Sequence, residues 1–149
     1  MEETPLGFLI VDTARLYRAR IDRAFEDAGL GLTAGEARTL AYVRFHPDLR
    51  QSALAEKMSV EPMTLVGFLD RLEAAGLVLR EVDPRDRRAK IVRLADAAAP
   101  YLERISIAAG SARAHATEDF SDAERTQLRD LLVRVRANLA RDHRCKDPR

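Results

Sequence analysis

The chain has 149 residues, of which 46% are hydrophobic and 33% are charged, and its formal net charge is +1. This length suits one domain with a buried core, and the low aromatic content without tryptophan favours a mainly helical protein over a sheet protein. A net charge this close to zero excludes a polycation, so a basic surface for nucleic acid would have to be local.

Two helices are predicted at the start of the chain. Apolar residues at three- and four-residue steps predict the first over residues 6–28, and Gly29 ends it. Thr33 and Glu36 have the spacing of a capping box, in which each side chain bonds the backbone amide of the other residue. The second helix therefore begins after Thr33 and is expected to run to about Phe45.

Two shorter helices follow, joined by a tight turn. The third is predicted from about Ser52 to Lys57, and Pro62 suits the first position of a fourth that runs to about Ala75. The fourth helix has an apolar stripe formed by Leu65, Phe68, Leu69 and Leu72. Its outward positions, counted here as candidate DNA contacts, are Met63, Thr64, Val66, Gly67 and Arg71.

A charged hairpin comes next. Two β-like segments, residues 77–82 and 90–94, are predicted to be joined by a connector over residues 83–89. The stretch from Arg85 to Arg93 contains one acid, Asp86, and has a local net charge of +4. Its basic residues are Arg85, Arg87, Arg88, Lys90 and Arg93.

The C-terminal part reads as two further helices. Asp96 is expected to cap a helix over residues 97–117, and Ser121 with Glu124 forms a second capping box. The last helix has apolar residues at coiled-coil-like spacing, namely Leu128, Leu131, Leu132, Val135 and Leu139. The single Cys145 excludes an internal disulfide, and the absence of a long apolar run excludes a membrane span, so we expect a cytoplasmic protein.

Two short helices and a charged hairpin describe a winged helix-turn-helix. The fourth helix would lie in the major groove, where Met63 and Thr64 can contact a thymine methyl group or a base edge. Gly67 costs about 1 kcal/mol relative to alanine inside a helix, which close approach of DNA or of another helix would explain. An ordinary surface helix and a solvated hairpin turn are the alternatives. In the hairpin, arginines suit a narrow minor groove, and Asp86 would hold one of them in a fixed rotamer.

The first and last helices have wider apolar faces than a winged domain alone needs. Leu6, Leu9 and Ile10 belong to the face of the first helix. Pairing with a second copy would bury these faces and place two recognition helices about one DNA turn, or roughly 34 Å, apart. Packing within one chain is the alternative, but we favour a homodimer.

The chain resembles the MarR family of bacterial regulators, and more closely its SlyA-like branch. The matching stretches are LTAGEARTLAYV, at Leu32–Val43, and a longer one at Ser52–Ala95. The most specific part is RLEAAGLV followed by DPRDRRAKIVRL. One departure is Gly67, where many relatives carry arginine, so no operator sequence is transferred.

The resemblance implies a mainly α fold and a cytoplasmic regulator without enzymatic activity or cofactor. A winged helix-turn-helix lobe over about residues 32–95 would carry the two-stranded wing. The N- and C-terminal helices, about residues 5–29 and 96–142, would form the dimerisation region of a homodimer. The expected partner is double-stranded DNA with a pseudo-palindromic operator, bound as repressor or activator, and no membrane is involved.

The resemblance also assigns DNA contacts to particular residues. Ser52 would contact a backbone phosphate. The recognition helix would place Pro62, Met63, Thr64, Val66 and Gly67 at the major groove. At the wing, Arg88 would enter the minor groove with Asp86 positioning it, and Arg85 and Arg87 would bind or support phosphate contacts.

Family members often bind small phenolic or aromatic acids between the two regions, which lowers their affinity for DNA. The candidate ligand residues combine aromatic surface with positive charge, which suits an aromatic carboxylate; they are Tyr17, Arg38, Tyr42, Phe45 and His46. A chain without any ligand is the alternative. Redox sensing through Cys145 is not expected, because relatives that sense peroxide carry a cysteine near the first helix.

Two other classes of protein were weighed against a DNA-binding regulator. An enzyme lacks support, since the sequence has no glycine-rich phosphate loop, no metal-spaced Cys/His cluster and no nucleophile elbow, and its three histidines are dispersed. A dimeric protein-interaction module that keeps the winged fold but not DNA binding is the remaining alternative. The basic hairpin argues against it.

Overall fold

The computed structural model describes residues 3–144 and confirms a mainly α fold with a two-stranded antiparallel sheet. The N-terminal half contains α1 (Leu6–Asp27), α2 (Ala34–Phe45), α3 (Gln51–Met58) and α4 (Pro62–Ala74). The hairpin strands and the C-terminal helices are β1 (Val78–Asp83), β2 (Asp86–Leu94), α5 (Ala99–Ala116) and α6 (Asp122–Arg144). Cys145 lies outside the described residues, and no helix among residues 3–144 is long and apolar enough to cross a membrane.

The chain divides into a first compact unit that ends at Arg113 and a second that begins at Ala114. The first unit contains a hydrophobic core built from the inward stripes of α2, α3 and α4, the hairpin, the inner face of α5 and Phe25 of α1. Its fully buried side chains include Leu40, Leu54, Leu65, Leu69, Leu72, Val78 and Val92. The predicted stripe of α4 is therefore the face that the core buries, apart from the half-buried Phe68.

Both predicted capping boxes are present. The Glu36 amide donates to Thr33 Oγ1 at 3.3 Å, and the Thr33 amide donates to Glu36 Oε2 at 3.0 Å. The Ser121 amide donates to Glu124 Oε2 at 2.8 Å, and the Glu124 amide donates to Ser121 Oγ at 3.3 Å. These reciprocal bonds satisfy amides that a helix start leaves free, so they fix where α2 and α6 begin.

The predicted seven-residue connector of the hairpin is wrong. β1 extends to Asp83 and β2 begins at Asp86, so only Pro84 and Arg85 separate the strands, with a register shift between Val82 and Asp83. The Asp83 carboxylate accepts the Arg85 amide at 2.8 Å, which closes the turn through a side chain. Residues 86–90 at the start of β2 are all exposed or half-buried, and all but Ala89 are charged, so the alternation that reveals a half-buried strand is absent there.

The predicted cap at Asp96 is also wrong. Asp96–Ala98 forms a 3₁₀ turn that precedes α5, and no side chain caps that turn. Pro100 lies in the first turn of α5, where a proline needs no amide partner. The chain therefore enters α5 through an irregular turn, as Pro100 predicted, and Asp96 lies inside that turn instead of capping the helix.

The terminal helices expose much of their apolar surface within one chain. Of all the residues of α1, only Phe25 is buried, whereas Leu6, Phe8 and Val11 are each at least 67% exposed. In the second unit, α6 exposes Leu128, Leu131, Leu132, Val133 and Leu139. Both predicted helices are observed, and the described chain leaves most of their large apolar side chains exposed.

Candidate nucleic-acid interface

The N-terminal turn of α4 presents the side chains predicted to meet bases. Pro62 is the first residue of the helix, and no side chain caps the turn, so its first amides face outward without a side-chain acceptor. Pro62, Met63 and Thr64 are exposed, with Met63 at 77%, and Val66 and Gly67 are half-buried one turn further on. A helix start with free amides and small exposed side chains is suited to approach a phosphate or a groove.

Gly67 is not required by packing within the chain. A Cβ atom added there would meet only Arg71 Nη1, at 3.7 Å, which is an ordinary van der Waals distance. No other helix among the described residues therefore closes on Gly67. The explanations that remain open for a glycine inside this helix are the approach of DNA or of a helix from a second copy.

The close helix approach occurs instead at Gly35 of α2. A Cβ atom added to Gly35 would lie less than 3.0 Å from three carbon atoms of the Phe68 ring. Gly35 is buried, so the ring lies directly on the backbone of α2. This contact holds α4 against α2.

Arg71 faces α2 as well. Its Nε donates to Oε1 of Glu36, whose side chain is only 7% exposed, and its guanidinium lies 5.7 Å from the centre of the Phe68 ring. Burial alone would raise the pKa of Glu36, but the hydrogen bonds from Arg71 and from the Thr33 amide outweigh burial and lower it. Arg71 thus joins the recognition helix to α2, and its predicted DNA contact stays a prediction.

The wing tip carries the uncompensated positive charge. Arg87 and Arg88 are exposed, and neither guanidinium has an ion-pair or hydrogen-bond partner among the side chains that the structure describes, residues 3–141. Arg93 was predicted to belong to the same basic stretch. It forms ion pairs with Asp48 at 2.9 Å and with Glu81 at 3.5 Å. Arg93 is therefore less available to a polyanion than Arg87 and Arg88 at the tip of the hairpin.

Asp86 contacts the backbone of the wing and the Arg50 guanidinium rather than the side chain of a wing arginine. Its Oδ1 accepts the Arg88 amide at 3.1 Å, and the Arg88 side chain is not held by it. Asp86 thus shapes the turn that carries Arg88 and bonds no wing guanidinium in this structure, and its positioning of Arg88 for DNA stays a prediction.

Sequence reasoning missed Arg50 and Asp83. Arg50 immediately precedes α3, and its Nε donates to Asp83 Oδ2 at 2.7 Å across the base of the hairpin turn. The sequence DPRD contained a signal for Asp83, since an aspartate two residues before a free amide favours an Asx turn. Arg50 had no local signal, because its acceptor is 33 positions away. The predicted phosphate contact Ser52 is exposed in the first turn of α3.

The predicted ligand residues are only partly brought together. The Tyr42 and His46 rings lie 6.1 Å apart, whereas the Phe45 side chain is 76% exposed. Arg38 Nη1 donates to both carboxylate oxygens of Asp22 at 2.6 Å, so its charge is already compensated. Tyr17 is 37% exposed on α1.

A groove of about 420 Å³ lies elsewhere in the first unit, between α1 and α5. Arg20, Arg104 and Ile107 are among the residues that line it, and none of the five predicted ligand residues does so. Arg104 Nη2 also donates to the carbonyl oxygens of Ala28 and Gly29.

The chain is similar in sequence and in fold to MarR-family proteins. A sequence model described as the MarR family matches residues 32–90. The crystal structure of MarR has 26% sequence identity and a TM-score of 0.79, and the match covers 96% of each chain. Wild-type apo MarR from E. coli has 28% identity and a TM-score of 0.69, over 91% of this chain and 98% of that one. CouR from Rhodococcus jostii RHA1, solved with p-coumaroyl-CoA, has 26% identity and a TM-score of 0.67, over 85% and 88%. None of these matches distinguishes the SlyA-like branch, which stays a prediction.

Proposed function

This chain belongs to the MarR family of transcriptional regulators, and from that premise we propose that it is a homodimer that binds a specific double-stranded DNA sequence. The observation that carries the proposal is the pair of uncompensated arginines, Arg87 and Arg88, at the tip of a wing in the same unit as the exposed start of α4. Arginine at a wing tip can enter a narrow, negative minor groove while the helix reads the major groove.

The test is selection from a pool of random duplexes. The proposed function predicts enrichment of a pseudo-palindromic sequence whose half-sites are one helical turn apart, because a two-fold symmetric protein reads the same bases twice. A double variant, R87A with R88A, should enrich the sequence poorly. Failure of the unaltered protein to enrich any sequence would favour the protein-interaction module.

Dimerisation is supported by the apolar side chains that each unit leaves exposed. Leu6, Phe8 and Val11 on α1 project large apolar groups from the first unit, and Leu131 and Leu132 do so from the second. Exposed apolar surface of this extent marks an interaction site in soluble proteins. A second copy of the chain would cover it, and light scattering during gel filtration measures whether the protein has the mass of a dimer.

An anionic aromatic effector is the ligand proposed for this regulator. The neighbouring Tyr42 and His46 rings support a site near the end of α2, although a carboxylate bound at Arg38 would have to compete with Asp22. CouR, whose solved complex contains p-coumaroyl-CoA, shows the size of ligand that one relative accommodates. Salicylate serves as the probe: a bound effector raises the melting temperature and lowers DNA affinity. If salicylate changes neither the melting temperature nor the DNA affinity, this result would count against salicylate as an effector.

A further inference from the structure

Arg50 connects the helix-turn-helix to the tip of the wing. It lies at the residue before α3, and its Nε donates to Asp83 Oδ2 at 2.7 Å. Its Nη1 lies 3.7 Å from Asp86 Oδ2. Asp83 and Asp86 face each other across the hairpin turn, so one guanidinium contacts the last residue of β1 and the first residue of β2.

The same two carboxylates also hold the backbone of the turn. Asp83 Oδ1 accepts the Arg85 amide at 2.8 Å, and Asp86 Oδ1 accepts the Arg88 amide at 3.1 Å. Each acid therefore presents one oxygen to Arg50 and the other to an amide of the tip. Loss of Arg50 would leave two facing carboxylates that repel each other, which would loosen the turn they shape.

The backbone next to Arg50 supports the hairpin at a second point. The Val92 amide donates to the Leu49 carbonyl oxygen at 3.1 Å, and Arg50 forms a single antiparallel bridge with Ile91. Asp83 is nearly buried, with 5% of its side chain exposed, so its bond to Arg50 is shielded from water on one side. The wing is thus anchored through its backbone near Ile91 and through a side-chain cluster at its turn.

We propose that Arg50 is a positioning residue for DNA binding: acting through Asp83 and Asp86, it holds the wing tip so that Arg88 is presented to the minor groove. This inference rests on the proposed function. The competing role is a direct phosphate contact by Arg50, whose side chain is 43% exposed. The two roles predict different results for a lysine replacement, since lysine keeps the charge but lacks the planar fork that bridges two carboxylates.

The first experiment needs no DNA. Trypsin cleaves after arginine, and the tip contains Arg85, Arg87 and Arg88. Arg50→Ala and Arg50→Lys should each accelerate cleavage in the wing several-fold. The control is Arg93→Ala, which removes the same charge and two ion pairs from the hairpin without touching the turn. Equal cleavage rates in the wings of the Arg50 and Arg93 variants would overturn the proposal.

The second experiment is a double-mutant cycle with the selected DNA duplex. Arg88→Ala alone should weaken binding about tenfold, within the range for an arginine that contacts a groove. In the Arg50→Ala background the same change should weaken binding less than about threefold, because residues that act as a unit are not additive. Additive losses, or an Arg50→Lys variant that binds as well as the parent, would overturn positioning in favour of a phosphate contact. If the unaltered protein binds no DNA, both the proposed function and the role of Arg50 in DNA binding fail. The cleavage rates would still show whether Arg50, Asp83 and Asp86 hold the hairpin turn.

Discussion

Replacing Gly67 by alanine should make the protein more stable and a weaker DNA binder. The added Cβ atom would meet only Arg71 Nη1 at 3.7 Å, so nothing within the described chain resists it. Removing a glycine from a helix interior then stabilises the fold by about 0.5–1 kcal/mol, which raises the melting temperature by roughly 1–4 °C for a chain of this size. If α4 lies close to DNA at this residue, the same methyl group would clash with the DNA. Binding should then weaken by about 1–3 kcal/mol, which is the cost of inserting an extra methyl group into a well-packed protein core.

Gly35→Ala is the matched control. It is also a helical glycine, but its Cβ atom would collide with the Phe68 ring, so overpacking should destabilise the fold by about 1–3 kcal/mol. Because the chain has no tryptophan, unfolding in urea is best followed by far-ultraviolet circular dichroism, and DNA affinity by fluorescence anisotropy. Destabilisation by Gly67→Ala would refute the packing described for α4. A stabilised variant with unchanged affinity would refute the approach of DNA at Gly67.

Three further predictions concern the wing, the buried carboxylate and the dimer. Arg88→Ala should lower DNA affinity by about 1–3 kcal/mol and leave the urea midpoint unchanged, because the side chain has no partner among residues 3–141; a shifted midpoint would contradict this. Folding lowers the pKa of Glu36, so its contribution to stability is full above the unfolded-state pKa and is lost as the pH falls through the folded-state pKa. Glu36→Gln should therefore be less stable than the parent at neutral pH, and the gap should narrow in acid; a gap that does not depend on pH would argue against the ion pair. Leu132→Glu should reduce the mass measured by light scattering towards that of a monomer, and an unchanged dimer mass would exclude this part of α6 from the interface.

Local signals were enough to predict most of the first unit. The reciprocal bonds of Thr33 and Glu36 depend on residues three positions apart, so a sequence can reveal them before the fold is known. The stripe that includes Leu65 and Leu72 follows the helical period and is buried as expected. These features determine where α2 and α4 lie, and hence which positions of the recognition helix face outward.

The parts that could not be predicted depend on residues far apart in the chain. The cluster of Arg50 and Asp83 joins residues 33 positions apart, and the pair of Arg71 and Glu36 joins residues 35 positions apart. No periodic pattern reports such a contact. The sequence therefore identified the charged tip of the wing, but the residues that hold the tip became visible only in the structure.

The central claim is that this chain binds one DNA sequence in preference to others, and fluorescence anisotropy tests it most directly. The selected duplex and a scrambled duplex of equal length would be titrated at two salt concentrations. A sequence-specific regulator should bind the selected duplex at least about a thousand-fold more tightly, and its affinity should fall as salt rises because phosphate contacts release counterions. Equal affinity for both duplexes, or no binding to either at low salt, would contradict the claim.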